Sequence, residues 1–415
     1  MNGATPTHGS ARTPRPAVAA ARLKPAHRVG RSALLRARSQ RRAPVLLYIV
    51  TPGRYFLSHR LTVACAAAAA GWDVHVAAPA GDAVDRITHA QITVHDTRLY
   101  RSVVSPFNEL SSLLALIRLC RRIQPSLIHA VAPKAAVLGG LTARALGIPA
   151  VIMKGGLCTT DTAPGIANAI ASLAIRAGIY ASVSKRAILV VQNAEEFADL
   201  ARSPRIRTRT ALVAGAGVNC TAFRATSEPK PPVTVVLPAR MLKSKGVPEF
   251  VEAARLLRAR GIDARFLLAG RIDLDNSSAV QPGEIRAWER EGLVEWLGHC
   301  DNMPLLLERC HIVCLPGHGE GLSKALAEGA AAARPIVTTD VAGCRDVVQP
   351  GVNGLLVPPR DPNSLAAALA TLILDSSMRT RFGRAGRDMA LARFDERLII
   401  PRMLSLYRSL RETEP

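Results

Sequence analysis

The sequence predicts an α/β protein with two doubly wound domains that face each other across a cleft. Its 415 residues are enough for two domains of ordinary size. Hydrophobic residues make up 48% of the chain, so each domain has enough apolar side chains to bury a core. Short apolar segments alternate with longer helical segments, and this rhythm starts again after a Pro-rich stretch at 226–232.

Residues 1–43 carry ten basic and no acidic residues, and we interpret them as a disordered basic tail. The alternative interpretations are an Arg-rich transit peptide and a start codon that was assigned too early. The alternation that follows is typical of βαβ units around a parallel sheet, and it predicts a Rossmann-like first domain over 44–225. Its predicted strands are 45–50, 73–78, 91–95, 126–132, 149–153 and 187–192, and its predicted helices are 57–70, 108–123, 135–146 and 165–182.

The Pro-rich stretch 226–232 is predicted to be a linker to a second Rossmann-like domain over 233–395. A last helix within 396–415 is expected to pack back on the first domain. Because ligands of such sheets bind beyond the carboxyl ends of the strands, both domains should present their sites to one cleft. The second domain's predicted strands are 233–238, 264–268, 294–297, 311–315, 335–339 and 355–357, and its predicted helices are 247–260, 283–291, 323–333, 363–374 and 379–392.

The net charge of +22 is concentrated in the first half of the chain. Up to Glu228 there are 29 basic and 10 acidic residues, a net charge of +19, whereas the remainder has 25 and 22, a net charge of +3. This asymmetry predicts an anionic partner for the first half: a membrane surface, an acidic substrate or nucleic acid. The alternative is a genomic background that favours Arg everywhere, which should affect both halves alike.

The eight cysteines include no CxxC pair, and reduced thiols are typical of a cytoplasmic protein. Cys310 and Cys314 flank His311 on a predicted buried strand, where core packing is favoured over a metal site. No stretch resembles a transmembrane helix, because the best candidate, 165–183, contains Asn and Arg. No secretory signal precedes the first strand.

The segment 316–328, PGHGEGLSKALAE, carries the strongest functional pattern. A glycine-bearing loop that leads into a helix near Ser323 presents backbone N–H groups and the positive end of the helix dipole, which together attract phosphate. Lys324 in the first turn would add a counter-charge. Glu320 and Glu328 could accept hydrogen bonds from vicinal hydroxyls of a ribose or a hexose. A hydrolase with paired carboxylates is the competing interpretation, but it leaves the phosphate-binding features unexplained.

A second pattern follows the predicted strand 233–238, where Arg240 and Lys245 lie five residues apart. A guanidinium and an ammonium at this place suit the oxygens of a nucleoside diphosphate. The alternative is a solvated loop with scattered charge.

Together, Arg240-x4-Lys245-Gly246 and Glu320-x7-Glu328 resemble the motifs of retaining family-4 glycosyltransferases with the GT-B architecture. The resemblance covers about residues 45–411. The segments 56–60 (FLSHR), 245–257 and 320–328 are similar to a bacterial subgroup that builds polysaccharides and polyprenyl-diphosphate-linked glycans, often from UDP-sugars. Ser323 stands where many members have Pro, and we expect it to cap the helix. In the run IHAVAPK, His129 is present but Val131 takes the place of a second histidine.

The resemblance implies the following roles for the donor site. Arg240 and Lys245 would hold the donor diphosphate, Glu328 would bind the ribose hydroxyls, and Glu320 would act with Arg240 and Lys245 in catalysis. The transferred sugar and the phosphates would also be held by the backbone at Gly321, Leu322, Ser323 and Lys324.

The implied reaction moves a hexose or N-acetylhexosamine from a UDP-sugar to a lipid-diphosphate-linked or other glycan acceptor, with retention and without a cofactor or an essential metal. Gly53, His59 and Lys134 are candidates for the acceptor side, and Asp161 is a weaker one. An epimerase of the same architecture that processes nucleotide sugars is an alternative. A nucleic-acid-binding protein is disfavoured because aromatic residues make up only 4%.

The basic first half is interpreted as a contact with an anionic membrane, which would place the enzyme peripherally at the inner face of the cell membrane. The helix 108–123 places leucines and an isoleucine near one stripe, beside Arg118, Arg121 and Arg122. Such a helix can rest on an anionic leaflet. The alternative is that it only packs on the sheet. The apolar residues of the stripe are Leu110, Leu113, Leu114, Ile117 and Leu119.

Overall fold

The computed structural model describes residues 43–81, 83–97, 99, 106–153 and 166–412. The predicted basic tail, apart from Ala43, and the weaker candidate Asp161 lie outside the described residues. From Ala43 onward the chain forms one compact unit, which contains two parallel sheets with helices on their faces. The predicted fold class is confirmed.

The first lobe is built on a seven-stranded sheet of order β3-β2-β1-β4-β5-β6-β7, in which every neighbouring pair is parallel. Apolar side chains pack on both of its faces, as expected for strands covered on both sides by helices. Its strands are β1 (Val45–Val50), β2 (Asp73–Ala78), β3 (Thr93–Asp96), β4 (Leu127–Val131), β5 (Ala150–Met153), β6 (Ala187–Val191) and β7 (Thr210–Leu212). Its helices are α1 (Gly53–His59), α2 (Leu61–Ala69), α3 (Ala83–His89), α4 (Pro106–Ile123), α5 (Pro133–Leu146), α6 (Ile166–Ser182), α7 (Ala194–Ala201) and α8 (Pro204–Arg207).

The second lobe is built on a six-stranded parallel sheet of order β10-β9-β8-β11-β12-β13. Its strands are β8 (Thr234–Pro238), β9 (Arg265–Ala269), β10 (Glu295–Trp296), β11 (Ile312–Leu315), β12 (Ile336–Thr339) and β13 (Gly354–Val357). Its helices are α9 (Val247–Ala259), α10 (Pro282–Arg290), α11 (Met303–Glu308), α12 (Lys324–Ala331), α13 (Pro362–Leu374) and α14 (Ser376–Arg393), and the chain ends in α15 (Glu396–Glu412).

The structure differs from the predicted elements at a few places. The single helix predicted at 57–70 is divided at Arg60, whose φ of −127° interrupts the helical geometry between α1 and α2. Short elements escaped prediction because three to eight residues give too little periodicity. These are α3, α7, α8, β7, α11 and the 3-10 turn Lys243–Lys245.

In each sheet the strand order reverses once, between β1 and β4 in the first lobe and between β8 and β11 in the second. The crevice beyond the carboxyl ends at such a switch point is the usual ligand site of a doubly wound sheet. Arg240, Lys245 and the segment 316–328 follow the second pair of strands, and Gly53, His59 and Lys134 follow the first.

The chain passes between the lobes twice, and the two crossings lie side by side. Val218 N donates to Phe394 O (2.8 Å), and Glu396 N donates to Val218 O (3.0 Å). Val218, Cys220 and Phe223 already belong to the second lobe's core. The chain therefore joins the core of the second lobe before it reaches the Pro-rich stretch 226–232. The last helix, α15, returns to the first lobe, where its apolar face packs against β1, β4 and β5; the residues of this face are Ile399, Met403, Tyr407 and Leu410.

Helix α4 buries one part of its predicted stripe and exposes another. Leu119 is buried against the sheet, so it was wrong to assign it to a face that meets a membrane. Leu110 and Leu114, by contrast, are exposed, as is Phe107 at the start of the helix. Within the described ranges, no helix has both the length and the apolar character that a bilayer crossing requires.

Candidate functional site

Two loops meet at the switch point of the second sheet. The first follows β8 and ends in the 3-10 turn Lys243–Lys245, and the second follows β11. Gly246 joins the turn to α9 at a φ of +73°, and a Cβ on it would lie 2.1 Å from the carbonyl oxygen of Pro316. Only glycine allows this backbone geometry and this approach. His318 N also donates to Ser244 O (2.9 Å), so the two loops form one backbone surface.

The two predicted motifs are joined by an ion pair. Lys245 Nζ lies 2.6 Å from Glu320 Oε1, and both side chains are largely buried. The residues are 75 positions apart in sequence. The spacing patterns identified both residues, and the structure places their charged atoms in direct contact.

Helix α12 begins directly after the glycine-bearing loop. Ser323 is its N-cap, and the hydroxyl accepts a hydrogen bond from Leu326 N (3.4 Å), which confirms the predicted capping role. The first amides of a helix have no carbonyl four residues earlier to bond, so they are available to an anion. Lys324 and Glu328 lie one turn apart on this helix, with Nζ 2.9 Å from Oε1.

Arg240 lies at the same edge of the sheet and forms an ion pair with Asp273, which follows β9. The guanidinium side chain is about half exposed, whereas Asp273 is more buried. The predicted diphosphate ligands Arg240 and Lys245 are thus each held by a carboxylate, and so is Lys324.

Between the lobes lies a small polar cavity of about 180 Å³. Its walls come from α1 and α2 of the first lobe, from the crossing segment, from α12, and from the start of α15. The polar side chains that line it are Ser58, His59, Thr62, Asn219, Lys324, Glu328 and Glu396. Helix α12 and His59, the predicted acceptor histidine, therefore share one cleft.

His59 is the last residue of α1 and stacks on Tyr55, with ring centroids 4.2 Å apart. Burial lowers the pKa of His59 well below its usual value, and the positive charges of Lys324, Arg60 and Lys245 lower it further. The lowered pKa favours the neutral imidazole, which offers one nitrogen as a hydrogen-bond donor and the other as an acceptor.

The other two acceptor candidates lie elsewhere in the first lobe. Gly53 begins α1, and a Cβ there would meet Ala83 Cβ at 3.2 Å, so packing within the lobe accounts for the glycine. Lys134 lies near the start of α5, and its ammonium is 2.7 Å from Glu109 Oε1 of α4. Their roles toward an acceptor remain predictions.

Several residues of this site were not predicted from the sequence. Asn193 caps α7 by accepting from Glu196 N (2.7 Å) and donates across the cleft to Gly321 O of the donor loop (2.7 Å). Asp273 holds Arg240, and Glu396 lines the cleft cavity. Burial and the neighbouring Asp395 raise the pKa of Glu396. Only Asn193 had a local signal, because Asn before Ala-Glu-Glu is a typical start of a helix.

A buried polar cluster lies beneath the first lobe's switch point. Tyr48 OH is 2.9 Å from Tyr407 OH of α15, which is 2.7 Å from His129 Nδ1. Arg60 is fully buried beside this cluster, and one of its nitrogens, Nη2, donates to Met153 Sδ (2.5 Å). Arg60 Nε and Nη1 find no hydrogen-bond partner among the described residues, and neither does His129 Nε2.

The predicted core role of the cysteine–histidine segment agrees with its contacts. Cys310 and Cys314 are buried, and burial raises the pKa of the Cys310 thiol to about 12. His311 Nδ1 accepts from Thr234 N (3.0 Å). In the part of the chain that the structure describes, no three His, Cys, Asp or Glu side chains cluster as a metal site.

The two lobes match two family models. Residues 45–191 match a model described as "Glycosyl transferase 4-like", and residues 232–375 match a model described as "Glycosyl transferases group 1". The second match contains all of Arg240, Lys245, Glu320 and Glu328.

Curated relatives include an N,N'-diacetylbacillosaminyl-diphospho-undecaprenol alpha-1,3-N-acetylgalactosaminyltransferase of Campylobacter jejuni, 30% identical over 43% of this chain and 45% of that protein. The capsular polysaccharide biosynthesis glycosyltransferase CapM of Staphylococcus aureus is 22% identical over 75% of this chain and 84% of its own length. The chain therefore spans about half the length of the first of these relatives and most of the second.

Solved structures share the architecture. Sucrose-phosphate synthase of Thermosynechococcus elongatus superposes with a TM-score of 0.72 at 19% identity, covering 90% of this chain and 100% of that one. HepE of Anabaena, solved in complex with UDP, superposes with a TM-score of 0.70 at 17% identity, covering 88% and 100%. At these identities the likeness establishes the fold.

Proposed function

Since this chain belongs to the GT-B glycosyltransferases, with a family-4-like first domain and a group 1 second domain, we propose that it transfers a hexose or N-acetylhexosamine from a UDP-sugar to a lipid-diphosphate-linked or other glycan acceptor. The nucleotide is proposed because HepE was solved with UDP. The acceptor class is proposed because the Campylobacter relative is named for a diphospho-undecaprenol substrate.

The contact between Lys245 and Glu320 carries this proposal. Transfer requires that the negative charge growing on the departing diphosphate be stabilised, and cations together with helix-start amides can do this. In the proposed complex the diphosphate replaces Glu320 as the partner of Lys245. Arg240, which pairs with Asp273, would likewise turn its guanidinium toward the phosphates.

The same exchange of partners would release Glu320. Its carboxylate could then accept hydrogen bonds from hydroxyls of the transferred sugar, while Glu328 on α12 would accept from the ribose. Both side chains are largely buried, where hydrogen bonds to a carboxylate are stronger than in water. Glu320 is therefore assigned to the sugar and Glu328 to the nucleoside.

The acceptor is proposed to enter from the first lobe, beside His59. This neutral imidazole lines the cleft cavity together with Lys324 and Glu328 of the donor helix. It could orient an acceptor hydroxyl by hydrogen bonding. Retention of configuration and the lack of a need for a metal or cofactor are proposed on the family resemblance, and both are open to direct measurement.

The experiment is a donor screen with purified protein and a polyprenyl-diphosphate-linked glycan. We expect acceptor-dependent UDP release from one UDP-hexose or UDP-N-acetylhexosamine, unchanged by EDTA, with a product whose anomeric proton shows the donor's configuration. Epimerisation of the donor without UDP release would instead support the epimerase alternative. If neither UDP release nor epimerisation is found with any nucleotide sugar of the panel, the proposal is refuted.

A peripheral position at the inner face of the cell membrane is also proposed. Phe107, Leu110 and Leu114 expose 85%, 55% and 41% of their surface on α4, three or four residues apart and therefore on one face. Arg118 and Arg121 continue this face toward the end of the helix. An apolar face followed by basic residues suits the interface of an anionic leaflet. Flotation with phosphatidylglycerol vesicles tests it: if no salt-sensitive binding is found, the proposal fails.

A further inference from the structure

A second recess lies on the first lobe, formed by the edge strand of its sheet and helix α4. It is a groove of about 650 Å³ between β3 and the flank of α4. Its lining residues come from 94–97 on the strand side and from 111–122 on the helix side. The donor-site residues Arg240, Lys245, Glu320 and Glu328 are not part of its walls. It is therefore a separate site.

The charged side chains of the groove are mainly basic. Arg118 and Arg122, one helical turn apart, both line it, and neither has a carboxylate partner within the described ranges. His95 faces Arg122, and its Nε2 lies 2.8 Å from Nδ1 of His75. The one carboxylate in the lining, Asp96, accepts a hydrogen bond from Ala80 N (2.9 Å). Two guanidinium groups without a carboxylate partner among the described residues, beside one carboxylate that already accepts a hydrogen bond, favour an anion.

A buried hydroxyl in the same lining has no hydrogen-bond partner in the described part of the chain. Thr97 exposes 8% of its surface, and its Oγ1 is buried with no hydrogen-bond partner among the described residues. A buried hydroxyl without a hydrogen-bond partner is unfavourable. A ligand that accepts a hydrogen bond from this hydroxyl would therefore bind more tightly. Phosphate oxygens can accept from a hydroxyl and from guanidinium forks at once.

The groove adjoins the apolar face of α4. Ser111, Ala115, Arg118 and Arg122 line the groove, and Leu114 precedes Arg118 by one turn on the exposed face. A ligand in the groove is thus flanked by exposed apolar side chains on the same helix. A soluble phosphate would not use those side chains, whereas the acyl or prenyl chains of a lipid would.

From these observations we propose that the groove between β3 and α4 binds the phosphate of a membrane lipid, with Arg118, Arg122 and Thr97 as its ligands and with Phe107, Leu110 and Leu114 against the apolar chains. The proposal extends the membrane contact described above from diffuse attraction to a defined phosphate site. It does not depend on which sugar is transferred. Phosphatidylglycerol is the probe, because it carries one phosphodiester in a bilayer.

The decisive variants keep the charge unchanged. R118K/R122K retains two positive charges but loses the planar forks that bind phosphate oxygens in pairs. T97V retains the shape of the side chain but loses the hydroxyl. A site built from these groups predicts about a tenfold weaker affinity for phosphatidylglycerol vesicles in R118K/R122K and several-fold weaker affinity in T97V. R121K, on the exposed face of α4 outside the groove lining, is the matched control and should bind like the unaltered protein.

Binding is measured by sedimentation with vesicles of phosphatidylglycerol or phosphatidylcholine, and circular dichroism checks the fold of each variant. Charge-conserving variants that bind as tightly as the unaltered protein would overturn the proposal, because attraction by diffuse charge alone predicts that result. Equal affinity for glycerol 1-phosphate and for the vesicles would also overturn it, because the apolar face would then contribute nothing. UDP affinity, measured by calorimetric titration, should be unchanged in all these variants, which separates this site from the proposed donor site.

Discussion

The cations of the proposed donor site in the second lobe and the buried Arg60 of the first lobe differ in their partners. In the second lobe, Lys245 pairs with Glu320, Lys324 with Glu328 and Arg240 with Asp273. In the first lobe, the guanidinium of Arg60 is fully buried, and two of its nitrogens lack a partner among the described residues.

This difference affects ligand binding in the second lobe and stability in the first. Ion pairs with carboxylates keep Lys245, Lys324 and Arg240 in place and limit the cost of burying charge, and in the proposed complex a diphosphate replaces these carboxylates. A buried guanidinium that is only partly hydrogen-bonded weakens the fold around it, because part of its cost of desolvation is not offset. We therefore expect substitutions in the second lobe to change activity more than stability, and substitution of Arg60 to change stability.

The largest expected effect follows removal of a donor-side cation. K245A should lower the rate of transfer by about 10³-fold, equivalent to about 4 kcal/mol, because one preorganised charge on the diphosphate is lost. The melting temperature should change little. The matched control is K230A, which removes an exposed lysine of the Pro-rich stretch and should leave the rate unchanged. If K245A retained most of the activity, Lys245 would not be a ligand of the diphosphate.

A sharper test separates binding from transfer. E320Q should lower the transfer rate by about 10²-fold while UDP binds as tightly as before, or up to about tenfold more tightly, because Lys245 loses its competing carboxylate. Calorimetric titration and steady-state kinetics measure the two quantities. A parallel loss of UDP affinity and rate would show that Glu320 organises the site instead of competing for Lys245.

Substitution of Arg60 tests the comparison from the side of the first lobe. R60M should raise the free energy of unfolding by about 1–2 kcal/mol, because an unpaired buried charge is replaced by an apolar side chain of similar length. Urea denaturation measures it. R260M, which changes an exposed arginine of the second lobe, should stay within about 0.5 kcal/mol of the unaltered protein. Strong destabilisation by R60M would mean that Arg60 stabilises the first lobe.

The smallest effect is a pH dependence that arises in the first lobe. Burial lowers the pKa values of His59 and His129 in the folded chain well below 6.5, so the unfolded chain binds more protons as the pH falls past that value. Stability should therefore decrease by about 1 kcal/mol per histidine per pH unit below pH 6.5. In H59Q, the part of this pH dependence of stability that comes from His59 should be absent. An unfolding free energy that is constant between pH 7 and 5.5 would contradict these shifts.

The fold, and the position of the two motifs at one sheet edge, could be predicted from the sequence because both leave local signals. Continuous apolar runs such as 45–50 predict buried parallel strands, and the fixed spacings of Arg240 with Lys245 and of Glu320 with Glu328 identify two loops at one sheet edge. The cap at Ser323 also followed from local chemistry.

The remaining features depend on contacts between distant segments, which no spacing encodes. The pairing of Arg240 with Asp273, the hydrogen bond from Asn193 to Gly321 and the buried contact between Tyr48 and Tyr407 join different elements or different lobes. The period of α4 predicted an apolar stripe, but only the fold decides which of its leucines face the sheet and which face outward.

The central claim is that cations of the second lobe bind the donor's diphosphate, and calorimetric titration of UDP into R240Q/K245Q tests it most directly. Loss of two charge-assisted contacts predicts an affinity at least about 100-fold weaker than that of the unaltered protein, with the fold preserved. UDP binding of undiminished affinity to this folded variant would contradict the account.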